Sequence, residues 1–129
     1  MKYYTGIGSR KTPTDVIQIM KDIATYCHSH GWLLRSGGAK GADKAFESTA
    51  GPHSDIYRPN DEMSERAYEI SRSFYEPHSK REFGRSWSQV SDITKRLMTR
   101  NVHQVLGDDL NSPSEFVVCW TPDGCESGT

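Results

Sequence analysis

Apolar residues are scarce. They make up 34% of the 129 residues, and the mean hydropathy is -0.73. That share is below the usual one for a globular domain. It leaves two readings: a heavily charged surface, or a core that is incomplete or supplied by another subunit. No apolar run approaches the roughly 18 residues needed to cross a bilayer. Lys2 leads straight into Tyr3-Tyr4-Thr5 without a signal-peptide core, so neither a membrane protein nor a secreted precursor is expected. An excess of one charge is also missing. Sixteen Lys and Arg face 17 Asp and Glu, for a net charge of -1, which argues against a strongly cationic nucleic-acid binder while allowing a local patch. Cysteine is limited to Cys27, Cys119 and Cys125, an odd set without disulfide-framework or zinc-knuckle spacing. Cys27 and Cys119 read as small core residues, and no metal is expected; a reducing cytoplasm fits this usage. His28, His30, His53, His78 and His103 show no ligand spacing either, and His28 with His30 reads as a partner of a helix dipole. Both Gly-x-Gly-x-x-Gly and Gly-x-x-x-x-Gly-Lys-Ser/Thr are absent, which argues against a P-loop NTPase and a dinucleotide fingerprint.

What is present alternates strand and helix. The length suits one domain, residues 1–129, able to bury roughly two-thirds of its unfolded surface. Lys2 to Gly6 is short, aromatic and apolar, the pattern of a first strand. Thr12-Pro13 opens a helix, with Thr12 expected as N-cap, Pro13 in the first position and Asp15 reaching back. Val16, Met20, Ile23, Ala24 and Cys27 form one face, widened by Ile17 and Ile19, and Gly31 ends it. A second strand, Trp32 to Ser36, runs into Gly37-Gly38-Ala39-Lys40-Gly41 and a helix from Ala42. Asp55 to Tyr57 is a third strand, and helices are expected over about 64–75 and 88–106. The second of these carries an apolar face of Val90, Ile93, Leu97, Val102, Val105 and Leu106. The charged, aromatic piece between them, 76–87, reads as a loop. Phe116 to Trp120 predicts a strand buried on both faces, with Trp32 and Trp120 in the core. Only nine residues follow it, so the sequence predicts a C-terminal truncation or a partner over that face. The expected fold is α/β, a Rossmann-like three-layer sandwich with a mainly parallel sheet.

In such sheets ligands bind at the carboxyl ends of the strands, where the strand order reverses. Three segments leave strands there. Gly6-Ile7-Gly8-Ser9-Arg10 offers close backbone approach and two donors. Ser36-Gly37-Gly38-Ala39-Lys40-Gly41-Ala42-Asp43 is a glycine turn at a helix start, where free amides and the dipole attract phosphate. Thr121 to Thr129 is again small and polar. Each glycine turn alone needs no more than a tight strand-to-helix corner; two on adjacent strands, with Ser9 and Arg10, favour an anion or nucleotide site. Asp43 could orient a ribose hydroxyl or cap its own helix. Glu47 reads as an exposed helix glutamate rather than a general base. Arg35 would pair with phosphate or with an acid on the adjacent strand. The loop Lys80 to Trp87 mixes basic and aromatic residues suited to stacking on a base, with Arg85 and Trp87 as contacts, against the plainer reading of a solvated loop. Lys95, Arg96 and Arg100 form a basic strip or pair with nearby acids.

Tyr4-Thr5-Gly6-Ile7-Gly8-Ser9-Arg10 with Thr12-Pro13, and Leu34-Arg35-Ser36-Gly37-Gly38-Ala39-Lys40-Gly41-Ala42-Asp43, resemble the Rossmann-like domain of the DNA recombination-mediator protein A (DprA, or Smf) family of the SLOG superfamily. Arg100-Asn101 resembles that family's Arg-Asn-Arg-Ile segment, from which Val102 and His103 depart. The likeness covers residues 3–47 well and 96–121 loosely, leaves 48–95 unplaced, and looks like small single-domain phage versions; a phage-encoded chain would act in the host cytoplasm. It implies that Gly37 to Asp43 cradle phosphate with Ser9 and Arg10 in the same pocket. It also implies that the corresponding surface meets single-stranded DNA and that the protein forms a homo-oligomer. The superfamily's Gly-Gly-x-Gly-Thr loop would begin where this sequence stops, and with it goes the catalytic glutamate of the phosphoribohydrolases.

Three functions follow in order of preference. The first is a non-catalytic module for a nucleotide or nucleotide-derived ligand, held by Gly6, Gly8, Ser9, Arg10, Ser36, Gly37, Gly38, Ala39, Lys40, Gly41 and Asp43. The second is a DprA-like single-stranded DNA binder using Arg85, Trp87, Arg100 and Asn101. The last is a nucleotide phosphoribohydrolase.

Overall fold

Strands and helices alternate through the computed structural model, which describes residues 2–52, 54–78 and 86–124. In chain order the elements are β1 (Tyr3–Gly8), α1 (Thr14–Ser29), β2 (Leu33–Ser36), α2 (Ala42–Ala50), β3 (Ser54–Ile56), α3 (Glu65–Tyr75), α4 (Asp92–Leu106) and β4 (Val117–Trp120). The sheet runs β3-β2-β1-β4 and every pairing is parallel. That is the order of the first four strands of a doubly wound sheet, so the expected α/β sandwich is the observed one.

Alternation along the strands assigns the layers. Tyr4 and Leu34 turn to one face and pack with Met20, Ala24 and Cys27 of α1 and Phe46 of α2. The Phe46 ring lies over Gly6, where a β-carbon would come within 2.6 Å of it. Thr5 and Arg35 turn to the other face. Thr5 Oγ1 donates to the carbonyl of Gln104 on α4 at 2.5 Å. Arg35 donates to the carbonyl of Ser112 at 2.5 Å and to Ser114 Oγ at 3.2 Å, with its guanidinium 3.9 Å over the Tyr3 ring. Arg35 is therefore a tie between β2 and the chain entering β4 rather than a partner of phosphate, and its charge also acts on Asp55, the acid opposite it on β3. A smaller core of Tyr75, Trp87 and Val90, with Tyr68 and Met98 against it, joins α3 to α4.

Several local expectations are corrected. α1 begins at Thr14 with Pro13 at its N-cap and no side-chain cap; the Thr12 hydroxyl donates instead to the carbonyl of Ser9 at 2.6 Å. Ile19 does not widen the buried face of α1 but is exposed. α4 starts at Asp92, because Ser91 caps it by accepting from Thr94 N–H. Val90 belongs to the preceding turn (Trp87–Gln89), which Ser86 and Gln89 close as a capping box. The buried residues of α4 are Thr99, Arg100, His103 and Gln104, while Ile93 is exposed. β4 is not buried on both faces either. It ends the sheet, with Val117 and Cys119 exposed and Val118 and Trp120 packed on the core. Phe116 lies just outside it, stacked on Tyr4. Among the described residues no helix is long and apolar enough to cross a membrane.

Candidate functional site

β1 and β4 are neighbours, yet α1 leaves β1 on one face and α4 approaches β4 on the other. The two strands stay paired to their carboxyl ends, where Gly8 meets Trp120, and a cleft of about 540 Å³ lies beside the ends of β1 and β2 under α4. One side is the turn after β1, from Gly8 to Lys11; another is Ala39 and Asp43 of the turn after β2; the third is α4 from Leu97 to Asn101. Glycine lets the two turns close on each other. A β-carbon on Gly8 would sit 2.7 Å from that of Ala42, and one on Gly41 would meet the Ser9 carbonyl at 2.5 Å. Gly41 also has φ +82°, a conformation disfavoured for other residues. Ser9 is the joint. Its N–H donates to the carbonyl of Trp120, its carbonyl accepts from Ala42 N–H, and its hydroxyl accepts from Lys11 N–H.

The floor of the cleft is ionic. Asp43 is 4% exposed, and its Oδ2 accepts from Ala39 N–H at 3.3 Å. Burial pushes this carboxyl above the usual range; the amides of Ala39, Gly8 and Gly37 and the charge of Arg100 oppose that shift. Arg100, 8% exposed, donates to the carbonyls of Gly37 at 2.9 Å and Tyr57 at 3.2 Å, and through Nε to Asn101 Oδ1. Burial lowers its pKa, Asp43 opposes the shift, and Arg10 adds to it. Gln104, with its amide oxygen turned toward Gly37, accepts from Gly37 N–H at 3.3 Å.

The cleft brings together Gly8, Ser9, Arg10, Ala39, Asp43, Arg100 and Asn101. Gly37 lies behind it, packed against Asp43, Arg100 and Gln104. The start of α2 is not a bare row of amides. Ala42 N–H is taken by Ser9, Lys44 N–H by the Ala39 carbonyl and Ala39 N–H by Asp43. The N–H groups of Gly38, Lys40 and Gly41 have no acceptor among the described residues. Gly6 is covered by Phe46, and the Ser36 hydroxyl donates to the Gly6 carbonyl at 2.6 Å, so both serve the fold. Gly38 turns away, toward Ile56 and Arg58.

The expected nucleic-acid contacts divide differently. Arg85 lies outside the described residues. Trp87, expected in an open loop, is 6% exposed and donates from its indole to the Tyr68 hydroxyl at 3.0 Å; its neighbours Tyr75 and Val90 supply the apolar company that buries it. The basic strip does not form. Arg100 is inside, Arg96 donates to the carbonyl of Pro59 at 2.7 Å, and Lys95 lies over Trp87. Glu47 is not a free surface glutamate but pairs with Lys44 at 2.8 Å and Arg58 at 3.5 Å. Sequence reasoning missed Lys11 and Gln104. Arg100, Asn101 and Gln104 stand at i, i+1 and i+4 on one helix, a spacing that would have placed Gln104 beside Arg100.

No protein-family model matches the chain, and neither the curated proteins nor the solved structures contain a match to it.

Proposed function

We propose that the chain is a non-catalytic module that binds a nucleotide or nucleotide-derived ligand in the cleft between the β1 and β2 turns and α4. The observation that carries this reading is the convergence of the two glycine turns on one cleft at the carboxyl ends of β1 and β2, beside the point where the strand order reverses, the general position of ligands in open α/β sheets. The exposed Arg10 and Lys11 side chains would meet the phosphate. Asp43 on the floor supplies an acceptor for a sugar hydroxyl, the role an acidic residue takes in such sites. The likeness of Tyr4 to Arg10 and Leu34 to Asp43 to the DprA/SLOG motifs supports the same assignment. Glu47, the acid one turn further on, is held by two cations and is not offered as a base. Single-stranded DNA ranks second, because the burial of Trp87 takes away an expected stacking surface. Self-association belongs to the same reading: Ile19, Tyr26, Phe116 and Val117 are exposed, and a second copy would cover them.

A thermal-shift panel of mono-, di- and cyclic nucleotides tests this. A ligand at a hundredfold excess over its Kd stabilises by about 2.7 kcal/mol. Arg10→Glu, at an exposed position, should keep a native far-ultraviolet circular dichroism spectrum and lose roughly tenfold or more in affinity, the size of one charge-assisted contact. A panel without any shift, or an Arg10→Glu protein that binds as the parent does, would overturn the reading.

A further inference from the structure

On the β3 side of the glycine turn lies a second cleft, of about 550 Å³, that the phosphate site does not use. His103 of α4 lines it and is 8% exposed. Its Nδ1 stands 2.9 Å from the carbonyl of Gly107. A carbonyl only accepts, so Nδ1 carries the proton, and in the neutral ring Nε2 is left as an acceptor. No donor among the described residues reaches Nε2. Nor is it sealed in, since the closed-off side-chain atoms without partners are Tyr4 Oη and Arg35 Nε. Nε2 therefore opens into the cleft. The Tyr57 ring holds the imidazole in place, stacked at 5.6 Å and 15°. Tyr57 in turn donates to Asp108 Oδ1 at 2.8 Å, which leaves Oδ2 of Asp108 to accept from elsewhere.

The remaining groups set the chemistry of an occupant. Glu62 adds another carboxylate. Of the cations, Arg100 is bound to the carbonyls of Gly37 and Tyr57, and Arg58 turns one nitrogen toward Glu47 at 3.5 Å, so the carboxylates of Asp61, Glu62 and Asp108 outnumber it. Ile56 and Met63 give the cleft apolar walls. The opening is thus rich in acceptors, walled by apolar groups, and wants a flat occupant that brings N–H donors. Arg100 lines both this cleft and the phosphate cleft, with the glycine turn between them.

We propose that this cleft receives the base of the nucleotide and selects amino-bearing bases over their carbonyl counterparts, with His103 Nε2, Asp108 and Glu62 as the acceptors. The inference rests on the nucleotide reading above and adds to it the identity of the base edge. An amino group facing these acceptors gains hydrogen bonds, whereas a carbonyl oxygen in the same place opposes them and leaves Nε2 of the buried His103 unpaired.

Titration calorimetry with matched pairs tests it. AMP against IMP and CMP against UMP each replace an amino group by a carbonyl oxygen and turn the adjoining ring nitrogen into an N–H donor, so AMP against purine riboside 5′-monophosphate, which lacks the amino group alone, is run as a third pair. The amino member should bind roughly tenfold tighter or more in each pair, as expected for a hydrogen bond to a charged acceptor. Asp108→Asn and Glu62→Gln, both at exposed positions, should shrink that ratio; His103→Ala should do so too, with circular dichroism to confirm its fold. Equal affinities within the pairs, or ratios unchanged in the exposed variants, overturn the base assignment and leave the phosphate site standing. If no nucleotide binds at all, both fall.

Discussion

Asp43 sits among peptide amides and beside a buried arginine, and the balance of those neighbours fixes how its charge bears on stability. Burial is the larger influence and raises its pKa in the folded chain; the amides and Arg100 only moderate it. A carboxyl whose folded pKa lies above its unfolded value binds protons more tightly in the native state. Its contribution is then fully present below about pH 3.9, the unfolded value, and is lost as pH rises through the folded pKa. Asp43→Asn removes that titration. Urea midpoints of parent and variant, compared from pH 4 to pH 7, should therefore move in favour of the variant as pH rises, whatever their offset at the start. A gap that is constant with pH would mean that the amides and Arg100 balance burial, and one that moves toward the parent that they outweigh it. The same residue explains why the turn before α2 is only partly open to a ligand: an internal carboxylate already occupies part of the donor cradle.

α4 shows what happens when an element serves a site as well as a core. Its buried residues are Thr99, Arg100, His103 and Gln104, each tied to backbone: Thr99 to the Lys95 carbonyl, Arg100 to Gly37 and Tyr57, His103 to Gly107. Polar groups at these depths are tolerated because they are paired. The apolar packing that holds α3 to α4 draws only Met98 from α4 itself and centres on Trp87 in the turn before it. Trp87→Ala should accordingly cost about 3 kcal/mol or more, the scale for a buried tryptophan, read as a lowered urea midpoint at unchanged slope; a change under about 0.5 kcal/mol would place the ring at the surface. The contrast shows what the sequence could carry. Helix α1 was legible because Val16, Met20, Ala24 and Cys27 repeat with the helical period, and the two glycine turns because a corner between strand and helix needs glycine. α4 was legible as a helix but not in its orientation, since the apolar count favoured Ile93 and Val105 while the buried side was chosen by hydrogen bonds to segments far along the chain. Trp87 was read from its charged neighbours, although Tyr68 and Tyr75, two helical turns apart on α3, are what enclose it. Of the site, Ser9, Arg10, Ala39 and Asp43 could be placed from local pattern. His103 could not, because Tyr57, which stacks on it and ties it to Asp108, meets it only through the fold.

Across the whole molecule the two signs of charge nearly cancel, at -1 over 129 residues, so attraction for a polyanion has to come from the local arrangement. Around the switch-point cleft the exposed cations are Arg10, Lys11 and Lys40; Arg35 and Arg100 are buried and committed to carbonyls. Three phosphate contacts on a single strand correspond to a salt slope of about -2 in log affinity against log concentration. Raising sodium chloride from 50 to 200 mM should then weaken binding of an oligo-dT by roughly 20-fold. A protein built to hold single-stranded DNA with many contacts would lose on the order of 10³-fold over the same range. The comparison is made by fluorescence anisotropy with labelled oligo-dT at the two salt concentrations. The shallow response fits a cleft that meets one or two phosphates of a small ligand. The steep one would require a cationic track beyond these three side chains, and with it the DNA-binding reading would displace the nucleotide one.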